Sequence, residues 1–412
     1  MRVHVHNHAG DCIRGAHLHF HDVDTGSQDN KPPWLVPRAA YLHVPFCRTK
    51  CLYCDFNTYA GKERQVGEYV AALATEIRRR AAEAEGLPLK TVYFGGGTPS
   101  LLAFTQVRRL MQVLRQGCGL LPETEVTLEA NPGTFGPAYV EGLGSLGINR
   151  LSLGVQSLDD ETLRRLARTH SATQGLEAVQ HARAAGMRSI NLDLIYGLPW
   201  QTLETWQDHL RRALDAQPDH VSLYALMVEE GTPLQGLVQR GHWDVADQDL
   251  VADMYEAALP VLARAGFLHY EVSNWAQPGH ESRHNLTYWR NEAYIGCGAG
   301  AHSYVQGRRS WNVRPIEAFI KRMGAAQCAT EGHERLEPQK QIGETAALAL
   351  RLPQEGIGYE RFQTRFGIDA SALWAGELRE LSKTGLLTAD ATGARITERG
   401  LLVSSEIASR FL

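Results

Sequence analysis

The sequence predicts an α/β protein: an incomplete (β/α)6-type barrel over residues 39–275, followed by a small winged-helix-like α+β domain over residues 336–412. Two observations carry that prediction. Short β-rich runs alternate with amphipathic segments from Tyr41 to about residue 275, the pattern of βαβ crossovers and a parallel sheet. After about Leu336 the order changes to helical stretches followed by a strand, a glycine-containing turn and another strand.

The first 38 residues hold two histidine triplets, "HVHNH" (His4, His6, His8) and "HLHFH" (His17, His19, His21), with Cys12 between them. On a hairpin both triplets would face one metal; the simpler expectation is a disordered His-rich leader ending in the linker-like "TGSQDNKPP". The predicted strands then begin at "YLHVP" (Tyr41), "TVYF" (Thr91), "EVTLE" (Glu125), "RLSLG" (Arg150), "SINLDLIYG" (Ser189) and "HVSLYAL" (His220). A seventh is expected at "FLHYEVS" (Phe267). "VGEYVAALATEIRRRAAEAE" and "VADMYEAALPVLARAG" supply intervening helices, with apolar residues recurring every three or four positions. Six or seven units exceed what a doubly wound sheet needs and fall short of a full eight-unit barrel. Residues 276–335 form a connecting region. In the C-terminal domain, "QKQIGETAALALRL" and "DASALWAGELRELSKTG" read as helices, and "LLTADATGARITERG" as a hairpin.

Composition removes several function classes. Lys plus Arg number 42 against 46 Asp plus Glu, a formal net charge of -4, so no basic field points to nucleic acid. No apolar run approaches the roughly eighteen residues that span a bilayer, and the polar N-terminus has no signal-peptide core. The expected location is the cytoplasm, where thiols stay reduced and clustered cysteines mean metal or redox chemistry. Cys118, Cys297 and Cys328 are isolated and expected to be buried as small apolar residues.

Three cysteines cluster in "HVPFCRTKCLYCDFNT": Cys47, Cys51 and Cys54. Structural zinc wants four ligands, and His43, the nearest fourth donor, does not give a usual zinc spacing. A four-iron cluster held by three thiolates leaves one iron open to a further ligand. Polar residues fall where such a ligand would need them. "GGGTPS" (Gly95–Ser100) follows the second strand, where glycines admit a close ligand and a helix start offers N–H donors. Glu129 ends the third strand, Gln156 ends the fourth and Asp193 lies in the fifth. Their shared end of a parallel barrel makes one site of them.

C-x3-C-x2-C with an aromatic residue before the last cysteine, here Tyr53, resembles the radical-SAM superfamily, whose open iron binds S-adenosylmethionine (SAM). More closely, "YLHVPFCRTKCLYCDFN" resembles the family of oxygen-independent coproporphyrinogen III oxidase, and within it the haem-chaperone branch. The likeness runs from about Tyr41 to Leu412. It implies a radical-SAM barrel with a 4Fe–4S cluster on Cys47, Cys51 and Cys54. It also implies cofactor contacts at Tyr41, Tyr53, Gly96, Gly97, Thr98, Glu129, Gln156, Arg168, Asp193 and Ala225. Glu129 suits the ammonium of a methionine moiety, Arg168 a carboxylate, and Asp193 ribose hydroxyls or a sulfonium. The oxidase carries another cysteine two residues after the last ligand, where this chain has Phe56. The chaperone branch carries H-N-x-x-Y-W, present here as "HNLTYW".

From that motif His284 is expected to bind haem, with Tyr288 and Trp289 against the porphyrin and Arg283 and Arg290 at its propionates; Cys297 and His302 are weaker alternatives. The implied function is a haem chaperone that passes haem to recipient haem proteins, membrane respiratory enzymes among them, with a homodimer in prospect. The competing readings are the oxidase itself, a radical-SAM methyltransferase and a zinc-bound interaction protein.

Overall fold

The computed structural model describes residues 31–412; the histidine triplets and Cys12 lie outside the described residues. Six strands follow the predicted order: β1 (Ala39–Val44), β2 (Leu89–Gly96), β3 (Leu120–Ala130), β4 (Arg150–Gln156), β5 (Ser189–Tyr196) and β6 (His220–Ala225). Each pairs in parallel with the next. Burial on both faces explains their near-continuous apolar runs: β4, "RLSLGVQ", is buried at every position except Gln156.

Helices α1 (Val66–Arg80), α2 (Phe104–Gly117), α3 (Pro137–Ser145), α4 (Ala172–Ala184), α5 (Leu203–Asp215) and α6 (Gln248–Arg264) cover the outer face. On α5 the buried side chains are Trp206, His209, Leu210 and Ala213, one stripe of a 3.6-residue period. Its start is set by Thr202, whose hydroxyl accepts from the Thr205 N–H.

The seventh strand differs from the sequence expectation. Leu268–Glu271 (β7) is a strand, but it pairs antiparallel with Asn274–Ala276 (β8), which pairs antiparallel with β6. Only Val272 and Ser273 separate the two, room for a hairpin and far too little for a parallel crossover. A further parallel strand, Tyr294–Cys297 (β9), instead joins the other side of β1. In the sequence it hides in "YIGCGAGAHSY", whose glycines read as a turn. Gly296 is needed inside the strand itself, because a Cβ there would collide with the backbone of His302. Three antiparallel strands extend that edge: His302–Val305 (β10), Arg308–Asn312 (β11) and Thr330–Arg335 (β12). The sheet therefore has two free ends, β12 and β7, and does not close.

The C-terminal region has the expected winged-helix composition. Ile357–Gly358, Gly393–Ile396 and Leu387–Ala389 form a three-stranded antiparallel sheet. Trp374 meets Phe362 and Phe411 edge-on at ring distances of 5.7 and 5.4 Å. Of the isolated cysteines, Cys118 and Cys297 are buried as expected, whereas Cys328 is exposed, just ahead of edge strand β12.

Candidate functional site: a cysteine loop over the barrel mouth

The loop after β1 carries the three thiols across the carboxyl ends of the strands. Phe46 and Cys47 pair with Tyr59 and Ala60, which pins both ends of the loop. Each sulfur has its own hydrogen-bond partner: the Thr98 hydroxyl donates to Cys47 Sγ at 3.6 Å, Arg168 Nη1 donates to Cys51 Sγ at 3.5 Å, and Thr58 Oγ1 lies 3.8 Å from Cys54 Sγ. Burial raises the Cys47 and Cys54 thiols above their ordinary range, which favours a protonated thiol until a metal replaces the proton.

These residues fit a cluster better than a single ion. Among the described residues, no three His, Cys, Asp or Glu side chains converge on one point that could hold a metal ion. A four-iron cluster asks for something different, since each thiolate takes a different iron. His43 is no fourth ligand in this arrangement. Its Nδ1 is 3.0 Å from the Tyr41 hydroxyl and its Nε2 2.9 Å from the Asn57 carbonyl, so both nitrogens are engaged. The backbone packs tightly against the loop. A Cβ on Gly97 would stand 2.6 Å from the Phe46 carbonyl oxygen, and Gly96, at φ +115°, would put one 2.5 Å from His43 Nδ1.

Next to the loop lies an acidic, tyrosine-lined lumen. Glu129 accepts from the Gly96 N–H and the Tyr93 hydroxyl, each at 2.9 Å. Among the described residues no cation pairs with it, and burial first, then Asp193, pushes its carboxyl up to about 7. Burial likewise raises Asp193, although Asn191 (2.8 Å) and Ser152 (3.3 Å) donate to it. Two buried carboxyls, one of them with no ion-pair partner among the described residues and the other offset only by the nearby charge of Arg168, make a site for a cationic ligand, as the ammonium and sulfonium of SAM require.

Gln156, at φ +67°, is a strained non-glycine residue at the end of β4, beside a register break with β5. Ala167, at φ +60°, turns Arg168 inward. Tyr53 lies against a small apolar cluster of Leu166, Ile195 and Leu198. Ala225 ends β6, in register with Tyr196. Thus Tyr41, Tyr53, Gly96, Gly97, Thr98, Glu129, Gln156, Arg168, Asp193 and Ala225 all collect at the cysteine end of the barrel. A cavity of about 350 Å³ opens beside Cys54, lined in part by Lys50, Phe56, Glu230 and Arg314.

Two expectations meet a different geometry. Both terminal nitrogens of Arg168 already serve the protein: Nη1 reaches Cys51, and Nη2 reaches Asn131 Oδ1 at 2.7 Å and the Gly154 carbonyl. The fork expected to hold a ligand carboxylate is turned toward the cluster loop. His284 stands on a short helix, α7 (Arg283–Trp289), toward the amino ends of the strands, its ring stacked 5.1 Å from Tyr93, which in turn bonds Glu129. Glu125 receives the first helical N–H groups of that helix at 3.2 and 3.0 Å.

The His284 ring is buried, with Nδ1 2.8 Å from Thr91 Oγ1 and Nε2 2.8 Å from the Tyr288 hydroxyl. Burial pulls it down to about 3, so it is neutral, and neither nitrogen is left for iron. The expected propionate partners are also engaged: Arg290 pairs with Glu355 at 2.5 Å and Arg283 lies 3.8 Å from Glu125. Trp289 lies under the Arg351 guanidinium at 5.2 Å. The motif plugs the barrel floor and joins it to the C-terminal domain. His302, by contrast, is exposed on β10, its ring 6.0 Å from Trp311, and among the described residues no hydrogen bond occupies its nitrogens.

Asn131, Tyr93 and Thr58 also belong to the site and carry no motif in the sequence. Asn131 stands two positions beyond Glu129, just past the end of β3, where extended backbone continued by one residue would turn it to the same face.

An open parallel barrel with three thiols and two buried carboxyls at its mouth defines a radical-SAM protein. The model of the Radical SAM superfamily matches residues 41–213, and that of the HemN C-terminal domain matches residues 336–403. The haem chaperone HemW of Bacillus subtilis is 35% identical over 91% of this chain and 99% of its own length. The mouse mitochondrial radical S-adenosyl methionine domain-containing protein 1 is 37% identical over 92% and 89%. Coproporphyrinogen III oxidase of Escherichia coli shares the fold, with a TM-score of 0.80 at 24% identity over 93% of this chain and 91% of that one. This chain belongs to the HemW family.

Proposed function

We propose that this protein is a haem chaperone that binds haem and hands it to recipient haem proteins, and that it holds a 4Fe–4S cluster and SAM. The observation that carries this reading is end-to-end likeness: 35% identity across 99% of the length of a haem chaperone. Likeness to the oxidase at 24% identity speaks to the fold alone. Phe56, exposed where the oxidase has a further cysteine, agrees with the choice.

In this reading Cys47, Cys51 and Cys54 hold the cluster, and the bound cluster with SAM supplies one-electron reducing chemistry. Glu129 receives the ammonium of SAM, and the Gly96–Thr98 backbone lies close enough to line its methionine end. Asp193 faces the ribose or sulfonium, and Tyr41, Tyr53, Gln156 and Ala225 shape the remaining wall. Arg168 contributes positive charge beside Cys51.

Haem capture at His284 requires Tyr288 or Thr91 to release the ring, whereas His302 needs no such step. A cytoplasmic location suits the chain; among the described residues no helix is long and apolar enough to cross a membrane. Membrane respiratory enzymes as recipients and a homodimer are part of the same proposal.

The test is haem titration of anaerobically reconstituted protein, comparing wild type, His284→Ala and His302→Ala. Saturable binding, lost in one variant at unchanged iron content, is the expected result. Conversion of coproporphyrinogen to protoporphyrinogen with SAM and reductant would overturn the chaperone assignment.

A further inference from the structure

Asn131 sits just after β3, where its backbone is fixed: its N–H donates to Ser100 Oγ at 3.2 Å and its carbonyl accepts from Thr134 Oγ1 at 2.6 Å. Its side-chain amide lies between two of the groups that touch the cysteines. Arg168 Nη2 is 2.7 Å from Oδ1, and Nδ2 is 2.9 Å from Thr98 Oγ1.

The direction of every bond in this chain follows from chemistry alone. A guanidinium only donates, so it faces the amide oxygen. The amide nitrogen must then face Thr98 and donate to it. With an acceptor site filled, the Thr98 hydroxyl turns its own hydrogen to Cys47 Sγ, 3.6 Å away. The same guanidinium donates to Cys51 Sγ at 3.5 Å. One amide therefore holds the donors of two of the three thiolates. The neighbouring backbone leaves room for it: a Cβ on Gly154 would come within 2.7 Å of Asn131 Oδ1 and 3.1 Å of Arg168 Nη2.

We infer that Asn131 is a positioning residue that fixes hydrogen-bond donors on Cys47 and Cys51 through Thr98 and Arg168, and so raises the reduction potential of the cluster those cysteines hold. Hydrogen bonds to cluster sulfur stabilise the more negative, reduced state. Partners one bond beyond the ligands orient them and govern how firmly the metal is kept. The inference rests on the cluster reading of the cysteine loop.

The experiment uses full-length, anaerobically reconstituted protein without SAM. EPR-monitored redox titration gives the midpoint potential, and a chelator challenge gives the rate of cluster loss. Asn131→Ala should lower the potential and speed cluster loss by about tenfold. Thr98→Val, which strips only the Cys47 donor, should lower the potential less. In the double variant the potential should fall no further than in Asn131→Ala, because Thr98 acts through Asn131.

Should Asn131→Ala fail to fold, Asn131→Leu keeps about the same size and adds no charge but can neither accept from Arg168 nor donate to Thr98; its potential should also fall. An unchanged potential at full iron loading overturns the inference, as do Thr98 and Asn131 shifts that add in full. Wild-type protein that takes up no iron refutes the cluster reading instead, and the inference with it.

Discussion

Replacing Glu129 by Gln should stabilise the cluster-free protein at high pH and weaken its hold on SAM. Burial raises the carboxyl from 4.5 to about 7, a difference of about 2.5 pKa units. At about 1.36 kcal/mol per unit, the fully ionised carboxylate costs roughly 3 kcal/mol. The side chain is partly exposed. Solvent screening brings the working figure to about half, ~1.5 kcal/mol.

Because the folded value lies above the unfolded one, the cost is absent below pH 4.5 and grows as pH rises toward 7. Above that it is complete. Gln keeps the Gly96 N–H with its oxygen and presents its amide N–H to the Tyr93 hydroxyl, which must turn from donor to acceptor, at a cost of up to about 1 kcal/mol. The variant should thus match or trail wild type at pH 5 and lead it by about 0.5–1.5 kcal/mol at pH 8. Urea unfolding at the two pH values measures this. In reconstituted protein, losing a charge-assisted bond to the SAM ammonium, about 1.5–3 kcal/mol, should cut affinity roughly 10- to 100-fold by calorimetry. A stability difference independent of pH, or unchanged SAM affinity, would refute the reasoning.

Cys47→Ala, Cys51→Ala and Cys54→Ala should each abolish stable cluster assembly, read as iron content and visible absorption, because among the described residues no other thiol lines the loop. Gly96→Ala should be severe: φ +115° and the His43 ring both exclude a Cβ, so a loss of about 1–3 kcal/mol is expected in urea unfolding. His284→Ala should destabilise by about 2–4 kcal/mol, since it leaves a buried cavity and unpairs Thr91 and Tyr288. His302→Ala should stay within about 0.5 kcal/mol by the same measurement.

Most of the barrel and one end of its site were legible in the chain. Parallel strands buried on both faces must be apolar throughout, which is why six of them stand out. Strand alternation and strand order place Glu129, Gln156 and Asp193 at one end, and three cysteines in one loop cannot be far apart. Tertiary structure alone decided the rest, because the deciding contacts join residues distant in sequence. The guanidinium of Arg168 turns to Cys51 across 117 residues, away from the role its isolated chemistry suggested. His284 meets Thr91 across 193 residues, and that bond buries a motif that reads as an open metal ligand. Four residues, "YIGC", became a parallel strand because β1 had an unpaired edge to receive them. Local pattern sets what each segment can be; which groups remain free for a ligand depends on which distant neighbours have already taken their hydrogen bonds.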